Sequence, residues 1–461
     1  MAAAITGLVV LAGCSQVSPP APEAAKAGIH TGSIKGADFK IEFPRAWNGT
    51  LLIYSHGYAA PDGGNPASDA GDSTTGTWLV EHGYALAGSS FRSTGWALED
   101  AFKDQVSLLD HFSRSFGKPK RTIAWGHSLG GIITAGLAQL HPERLDGALA
   151  MCGVLAGGIA NWNGALDIGF ATKTLLDPGL QIVNITNPGA NLSRARAAVT
   201  AAGNTPQGKA RISLIAALGH LPGWFNPLQP EPAADDYALR VANQASWEAF
   251  DFTYVFGYRA ELERRAGGNP SWNTGVDYRQ AFESAPSRSQ TEALYRLAGL
   301  DLEAELTRLN STPRISADRT AADYLARNIT FNGRLALPFL TLHTTDDGLV
   351  LPENEEAYMS VVGSGPDSGQ LRQLFTHRAN HCIFTPAEQI AAFKVLFARL
   401  DGKAWPPTDP PTLNQAATAL GSRYNGGSLP GSATVLSVTP AFASYQPARF
   451  PRPFDSRSVN P

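Results

Sequence analysis

The sequence predicts an α/β fold in which a mostly parallel sheet is covered by helices. An apolar, β-prone run at 122–125 is followed by apolar residues at helical spacing from 132 to 140. Two further apolar runs, at 335–343 and 371–376, predict buried strands, and the second precedes a helical pattern at 386–400. Strands that alternate with helices are typical of parallel sheets.

The amino terminus carries a targeting pattern. Residues 2–12 are almost wholly apolar, and Leu11 to Cys14 resembles the bacterial lipoprotein signal, in which the cysteine is lipidated and the preceding peptide is removed. We therefore expect a secreted protein, or an extracytoplasmic one anchored to the membrane through Cys14. No Lys or Arg precedes the apolar run, so the true start of the signal stays open, as does a fortuitous leader with a free cysteine.

A candidate nucleophile lies in the turn between the strand and the helix of residues 122–141. The turn reads Gly126-His127-Ser128-Leu129-Gly130. A turn this sharp strains its central serine and requires small residues two positions before and after it. Upstream, the apolar run Thr50–Ser55 predicts another buried strand, which leads directly into His56-Gly57-Tyr58.

An acid and a base follow the serine along the chain. A serine hydroxyl needs a histidine to take its proton and a carboxylate to orient that histidine. The run at 335–343 leads into a turn that contains Asp346 and Asp347. We choose Asp347 as the acid, because Asp347 to Val350 resembles the D-x-x-V turn that carries the acid in a known enzyme family, and keep Asp346 as the alternative.

Two histidines follow the next predicted strand. His377 and His381 come after the run at 371–376, and His381 lies shortly before the final helical pattern. We choose His381 as the base and keep His377 as the alternative. We expect four other histidines to be packed polar residues: His82, His111, His141 and His220.

Over roughly residues 38–160 and 330–400, these segments resemble the α/β-hydrolase superfamily, specifically its serine esterases, lipases and acyl hydrolases. The resemblance implies an eight-stranded, mostly parallel sheet with helices on both faces and the active site at the carboxyl ends of the strands. It also implies that Ser128 attacks an acyl carbonyl, that His381 carries the proton and that Asp347 orients the imidazole.

The resemblance further implies an oxyanion hole formed by the backbone N–H groups of Tyr58 and Leu129. The sequence departs from the family pattern beside the base, where Asn380 replaces the usual glycine and Phe384 comes one residue late. Asp167 is a third candidate acid, because some relatives carry the acid in the loop after the strand that ends near Cys152.

The chain is too long for one compact domain of about 250 to 300 residues. About 180 residues separate the predicted strand at 145–152 from the run at 335–343, far more than a crossover needs. Helical spacing at 235–265 and 290–309 predicts a mainly helical cap. We divide the chain into a leader (1–14), a linker (15–28), the first part of the core (29–158), the cap (159–330), the second part of the core (331–401) and a Pro- and Gly-rich tail (402–461).

The cap is rich in aromatic residues, of which we expect about one in four to contact substrate and the others to pack in the core. They are Trp162, Trp224, Phe225, Trp247, Phe250, Phe252, Tyr254, Phe256 and Trp272. In the tail, one β-prone piece at 433–438 interrupts the Pro- and Gly-rich sequence.

Other features limit the cofactors and partners. Cys152 and Cys382 are both predicted near the active-site end of the sheet, where they either pair in an oxidising compartment or pack as small apolar residues. We expect no metal, because no histidine or cysteine cluster has ligand spacing, and we expect no other cofactor. A net charge of −3 provides no basic face for nucleic acid.

Three functions remain open. We expect a serine hydrolase that cleaves small or polymeric carboxylic esters through an acyl-enzyme intermediate. The first alternative is a secreted serine peptidase or amidase, in which cap carboxylates hold a substrate amine; the candidates are Asp235, Asp236, Asp251 and Glu261. The second is a non-catalytic surface lipoprotein that uses the fold as a binding module.

Overall fold

The computed structural model describes residues 27–363, 367–402, 404–427 and 436–459. Cys14 and the rest of the predicted leader lie outside these residues. Gly28, the last residue of the predicted linker, is the first residue of a strand.

Within the described residues, nine strands form one sheet in the order β1-β2-β4-β3-β5-β6-β7-β8-β11, and β9 pairs separately with β10. The neighbours from β4 to β8 in this order are parallel, whereas β1, β2 and β11 pair antiparallel with their neighbours. The strands are β1 (Gly28–Ile34), β2 (Ala37–Phe43), β3 (Thr50–Ser55), β4 (Ala85–Ser89), β5 (Arg121–His127), β6 (Gly147–Met151), β7 (Phe339–Asp346), β8 (Leu371–Ala379), β9 (Gly426–Gly427), β10 (Leu436–Ser437) and β11 (Phe442–Ala443).

Helices lie between the strands and follow them. The α-helices are α1 (Ser73–Glu81), α2 (Leu98–Phe116), α3 (Leu129–Leu140), α4 (Gly158–Leu175), α5 (Pro188–Ala202), α6 (Pro206–Leu218), α7 (Tyr237–Phe252), α8 (Arg259–Ala266), α9 (Tyr278–Glu283), α10 (Arg288–Ala298), α11 (Leu302–Ser311), α12 (Arg319–Arg327), α13 (Glu353–Val362), α14 (Pro386–Gly402), α15 (Pro410–Thr418) and α16 (Ser456–Val459). A π-helix at Thr253–Tyr258 joins α7 to α8, and short 3₁₀-helices lie at Pro142–Arg144 and Ser368–Gln370.

The predicted fold class is confirmed, with one more strand than expected. The tail supplies the extra strand, because β11 pairs with β8 at the edge of the sheet. The run predicted as a strand from Leu335 begins only at Phe339, since Pro338 has no N–H to donate to a ladder. The same strand continues beyond His343 to Asp346, because its pairing with β8 continues past a register shift.

Both faces of the sheet are covered. Buried side chains of α2 and α3 pack with the strands on one face, where Phe112 and Ile132 belong to the same hydrophobic cluster as Leu51. On the opposite face, Trp78 of α1 and Phe393 of α14 pack in a second cluster. This arrangement leaves the carboxyl ends of the parallel strands free to carry the loops of the site.

The fully described interval between β6 and β7 is helical and has its own hydrophobic cluster. Helices α4 to α12 lie here, and Phe170, Trp247, Phe256 and Tyr295 are among the buried side chains of the cluster. The segment predicted as helical at 235–265 is α7, the π-helix and α8 in direct succession. Among the described residues, no helix combines the length and apolar character needed to cross a membrane.

Candidate active site

Ser128 lies in the sharp turn between β5 and α3. Its backbone has φ 57° and ψ −120°, a conformation that non-glycine residues rarely adopt. The turn closes because its glycines are small: a Cβ at Gly126 would lie 2.5 Å from the carbonyl oxygen of Gly130 and 2.6 Å from that of Ser55. The backbone N–H of Ser128 donates to the carbonyl of Met151 at 3.0 Å, which fixes the turn against β6.

His381 follows β8 in a short loop, and its Nε2 lies 2.8 Å from Ser128 Oγ. Asn380 precedes it with φ 78°, a left-handed conformation that asparagine tolerates better than most residues. The side-chain oxygen of Asn380 also accepts the N–H of His381 at 2.8 Å. Asn380 therefore takes the conformation that glycine commonly provides and additionally caps the loop.

Asp347 lies just after β7 and is fully buried. Its Oδ2 accepts a hydrogen bond from His381 Nδ1 at 2.6 Å, while its Oδ1 accepts the N–H groups of Leu349 and Val350 at 3.0 and 2.9 Å. Burial alone would raise the pKa of Asp347, but the imidazole of His381, which also donates a hydrogen bond, and the nearby imidazole of His343 lower it to about 2. Asp347 is therefore a carboxylate at neutral pH.

A second histidine, which the sequence did not reveal, lies behind Asp347. His343 on β7 is fully buried, with its Nε2 2.8 Å from the carbonyl of Val350 and 3.6 Å from Asp347 Oδ2. Its Nδ1 lies 3.1 Å from Glu355 Oε1. Burial disfavours the charged imidazole, but the nearby carboxylate of Asp347 and the hydrogen-bonded carboxylate of Glu355 outweigh this effect and raise the pKa of His343 to about 10.

Cys152 and Cys382 form a disulfide, with their Cα atoms 5.4 Å apart. Cys152 directly follows β6 and Cys382 directly follows His381, so the bond ties the histidine loop to the end of β6, two strands away from β8 in the sheet. The sulfur of Cys382 lies 3.3 Å from His381 Nε2. In the described part of the chain, Cys152, Cys382 and His381 lie close together, and all three are residue types that can bind a metal ion. Sulfurs joined in a disulfide, however, cannot act as thiolate ligands.

The residues expected to form the oxyanion hole lie beside Ser128. Leu129 is the first residue of α3, where a backbone N–H has no partner within the helix. Tyr58 follows β3 in a loop fixed by His56, whose ring nitrogens lie 2.7 Å from the carbonyl of Gly57 and 3.1 Å from that of Ser90. Tyr58, Ser128 and Leu129 all line one cavity.

The alternative triad residues lie elsewhere. His377 contacts Glu231 at 3.1 Å and Thr345 at 3.1 Å, and the side-chain carboxylate of Asp346 accepts the Thr345 hydroxyl at 2.9 Å. Asp167 lies within helix α4 rather than in the predicted loop, because that helix begins at Gly158. It accepts the hydroxyl of Tyr278 and pairs with Arg452, so its carboxylate is used in the cap.

The cavity beside Ser128 is lined by residues of the core, the cap and the tail, and part of it is open to solvent. Of the aromatic cap residues proposed from sequence, Trp162 and Tyr254 line it. Sequence analysis did not propose Trp96, which lies just before α2, or Phe450 and Pro451 of the tail, which also line it. A pattern confined to the cap could not indicate these residues, since they come from other parts of the chain.

Of the four cap carboxylates considered for amine binding, Asp251 lines the cavity. Asp236 caps helix α7 through the N–H of Leu239 at 3.0 Å, and Asp235 is exposed. Glu261 pairs with Arg265 at 2.7 Å and accepts the N–H of Trp96 at 3.0 Å. Asp236 and Glu261 therefore act in the structure of the cap and its contact with the core, and neither they nor Asp235 line the cavity.

Comparison with known proteins shows similarity in sequence to an amidase. The o-phthalyl amidase of Xanthobacter agilis is 30% identical over 427 residues, which cover 83% of this chain and 89% of that protein. No family model matches the chain.

Solved structures are similar at lower identity. Feruloyl esterase B from Aspergillus oryzae is 15% identical, with 81% of this chain and 80% of that chain covered and a TM-score of 0.40. A hydrolase from Pseudomonas aeruginosa PA01 is 14% identical, with 81% and 98% covered and a TM-score of 0.34. The identity to the amidase over most of both chains, with the sheet order and the turn described above, shows that the protein belongs to the family of this amidase within the α/β-hydrolase superfamily.

Proposed function

We propose that the protein is a serine amidase that hydrolyses its substrate through an acyl-enzyme intermediate, with Ser128, His381 and Asp347 as the catalytic triad. The observation that carries the proposal is the continuous chain of hydrogen bonds from Ser128 Oγ through His381 to Asp347, at 2.8 and 2.6 Å. This arrangement supports nucleophilic attack by serine on a carboxylic acid derivative.

Each residue has a defined part in the proposed reaction. His381 Nε2 takes the proton of Ser128 as Oγ attacks the carbonyl carbon, and Nδ1–H donates to Asp347, which stays ionised throughout. The N–H groups of Tyr58 and Leu129 stabilise the oxyanion. His381 then protonates the leaving nitrogen, the C–N bond breaks, and a water activated by His381 releases the acid and regenerates Ser128.

The choice of amide over ester rests on the relative, which is named an o-phthalyl amidase. The sequence alone favoured an ester hydrolase, and the same triad cleaves both bonds. A carboxylic ester hydrolase is therefore the second candidate, and substrates with a common acyl group distinguish the two.

The test combines labelling of the nucleophile with paired substrates. A fluorophosphonate should label the wild type but not Ser128→Ala, and Ser128→Ala should lower kcat/KM by at least about 10⁴-fold. Ser107→Ala is the matched control, because the Ser107 hydroxyl donates only to the backbone carbonyl of Lys103 in the surface helix α2. It should retain labelling and turnover.

The paired substrates are benzoyl p-nitroanilide and p-nitrophenyl benzoate. Turnover of the anilide that depends on Ser128 would support the amidase, whereas turnover of the ester alone would support the esterase. A folded wild type that is neither labelled nor active on either compound would overturn both and favour a non-catalytic binding module.

We also propose that the protein is exported and anchored through a lipid on Cys14. The support is the Leu11 to Cys14 pattern in the sequence, together with the disulfide between Cys152 and Cys382, since disulfides persist in oxidising compartments. Cys14→Ser should release the protein from the membrane fraction. A wild type never found in that fraction would refute the anchor.

A further inference from the structure

The disulfide lies beside the nitrogen that the proposed reaction uses as its base. Cys382 Sγ is 3.3 Å from His381 Nε2, the same atom that contacts Ser128 Oγ at 2.8 Å. Cys152, Cys382 and His381, which we call the Cys-His cluster, each offer one ligand atom, and these atoms all lie within 4.8 Å of one another. Among the described residues, this is the one group of three metal-ligand side chains that is so compact. Reduction of the disulfide would therefore place two thiols and an imidazole nitrogen together.

The spacing of these atoms suits a zinc ion. Zinc binds cysteine sulfur at about 2.3 Å and histidine nitrogen at about 2.0 Å in tetrahedral geometry, so sulfur and nitrogen on one ion lie about 3.6 Å apart. The 3.3 Å between Cys382 Sγ and His381 Nε2 is close to this separation. The two sulfurs would have to separate to about 3.8 Å. With the Cα atoms 5.4 Å apart, rotation of the cysteine side chains is sufficient.

His381 is already oriented in the way that zinc-binding histidines are. Such a histidine donates its other ring N–H to a carboxylate or a carbonyl, and this bond fixes the tautomer that presents the remaining nitrogen to the metal. His381 Nδ1 lies 2.6 Å from Asp347 Oδ2, and Asp347 is fully buried. The contact that prepares Nε2 to accept the proton of serine therefore also prepares it to bind a metal ion.

Hydrogen bonds hold both cysteines in place independently of the disulfide. The backbone N–H of Cys152 donates to the carbonyl of Leu342 at 2.8 Å. The residue after Cys382 is Ile383, whose carbonyl accepts the guanidinium of Arg378 at 2.9 Å. Because these bonds do not involve sulfur, we expect the reduced cysteines to stay within reach of one ion.

We propose that the Cys-His cluster binds a zinc ion once its disulfide is reduced, and that the bound ion stops the reaction at Ser128. Two electrons and two protons from a dithiol convert the disulfide into two thiols, and the dithiol becomes a disulfide. Zn²⁺ then displaces both thiol protons into solvent and bonds to the two sulfurs and to His381 Nε2, with water in the fourth position. The loss of turnover rests on the proposed function, because it requires that His381 is the base, whereas zinc binding does not.

The first measurement is the zinc content of the wild type with its disulfide intact or reduced. A phosphine supplies the two electrons, becomes a phosphine oxide and is removed by anaerobic desalting before zinc is added. After equilibrium dialysis, the reduced protein should hold about one zinc ion per chain more than the oxidised protein. Co²⁺ in place of Zn²⁺ should give the thiolate-to-metal charge-transfer band that cysteine ligands produce, and the oxidised protein should lack this band.

The cysteine ligands are tested by Cys152→Ala/Cys382→Ala. This variant should gain no zinc on treatment with the phosphine and should show no cobalt charge-transfer band. It keeps Cys14, so it also reports any zinc that is held by that cysteine.

The histidine ligand is tested by variants that keep both cysteines. Asp347→Asn should weaken zinc binding by about 10- to 100-fold, because it removes the carboxylate that orients His381. His381→Ala removes the ligand itself and should weaken binding further. His377→Ala is the matched control, because His377 is 50% exposed and contacts Glu231. It should bind zinc as the wild type does.

Turnover provides the second readout. Saturating zinc should lower kcat of the reduced wild type by at least about 100-fold relative to the same reduced protein without zinc, since a general base contributes at least this much. A chelator should restore the rate. Zinc should have much less effect on the oxidised wild type. Because both rates are measured on reduced protein, the effect of zinc is separate from that of breaking the disulfide.

The results that overturn this inference differ from those that overturn the proposed function. The zinc site is refuted by a disulfide that resists reduction in the folded protein, by a reduced wild type that gains no zinc, or by His381→Ala that binds zinc as tightly as the wild type. Zinc that binds at the cluster and leaves kcat unchanged refutes the block. Zinc and cobalt binding in a protein without turnover that depends on Ser128 supports the site and refutes only the proposed function.

Discussion

At the scale of single residues, Asp347 lies between two imidazoles. His381 contacts its Oδ2 at 2.6 Å from the side of Ser128, and His343 lies 3.6 Å from the same oxygen in the interior. Glu355 closes the series behind His343 and accepts further hydrogen bonds from Thr341 and Gln373, both at 2.6 Å. The carboxylate of Asp347 is thus held by a buried network rather than by solvent.

Asp347→Asn should lower kcat by about 10⁴-fold, because the amide cannot hold His381 in the tautomer that accepts the proton of serine. Asp346→Asn is the matched control, since the Asp346 carboxylate bonds to Thr345 and not to His381. It should change kcat little. Steady-state kinetics with one anilide substrate measure both effects. A larger loss of kcat in Asp346→Asn than in Asp347→Asn would assign the acid to Asp346.

Because of His343, the free energy of unfolding should depend on pH in the alkaline range. Its pKa of about 10 in the native state exceeds the usual value of 6.5, so between these pH values the native state holds a proton that the unfolded state has lost. The stabilisation is complete below about pH 6.5 and disappears as the pH rises through about 10.

Urea unfolding of the wild type should therefore show a free energy of unfolding that falls from pH 7 to pH 10. In His343→Gln the fall should be shallower, because glutamine has no proton to lose in this range. Parallel curves for the two proteins would contradict an imidazolium at His343.

At the scale of elements, the loop after β8 is held at both of its ends. Asn380 fixes the start, since its N–H donates to the carbonyl of Asp346 at 3.1 Å and its carbonyl accepts the Thr344 hydroxyl at 2.8 Å. The disulfide of Cys382 with Cys152 fixes the other end. The loop that carries His381 is thereby tied to the ends of β7 and β6.

Removing the disulfide should weaken both the fold and the site. The bond links residues 230 apart, and Cys152→Ala/Cys382→Ala should lower the free energy of unfolding by about 2 to 5 kcal/mol. It should also lower kcat more than it changes KM, because His381 directly precedes Cys382. Dithiothreitol should affect the wild type in the same way and leave the double variant unchanged; an insensitive wild type would contradict this role.

Local patterns were sufficient to predict some elements and not others. The bounds of β3 were predicted as observed, and the strand-turn-helix around Ser128 follows from apolar spacing and small residues. The structure brings Ser128, Asp347 and His381 into contact, as their order in the chain suggested. The predicted start of β7 was wrong, because the apolar run continues through Pro338. A pattern of hydrophobicity does not show that proline lacks the N–H needed for strand pairing.

Residues that depend on long-range packing were missed. His343 has the sequence context of an ordinary strand residue, and nothing local indicates that its imidazole lies behind Asp347. The pairing of Cys152 with Cys382 was left open, because only the adjacency of β6, β7 and β8 brings these cysteines together. Trp96 gave no signal, since it precedes a core helix rather than lying in the cap.

At the scale of the whole molecule, the tail connects the edge of the sheet with the cap. After β11 pairs with β8, the chain reaches the cavity, where Phe450 and Pro451 form part of the wall. Arg452 then pairs with the buried Asp167 and donates to the carbonyl of Trp272 at 2.9 Å. The tail therefore forms part of the cavity wall, alongside the cap.

Phe450→Ala should change substrate choice by enlarging the cavity. We expect bulkier acyl groups to gain in kcat/KM relative to benzoyl, together with a loss of stability of about 3 kcal/mol. Phe442→Ala is the matched control, since Phe442 is also 4% exposed but packs on the face of the sheet that carries α14. Equal changes of acyl preference in both variants would show a general loosening of the fold.

The position of Phe450 and Pro451 also sets an order in which the site is made. Ribosomes build chains from the amino terminus, so Ser128, Asp347 and His381 all exist before residues 450 and 451 are joined. A chain that ends before residue 450 holds Ser128, Asp347 and His381 but lacks two residues of the cavity wall. Proteolysis in the tail before residue 450 would therefore remove part of the cavity wall and leave these three residues on one fragment.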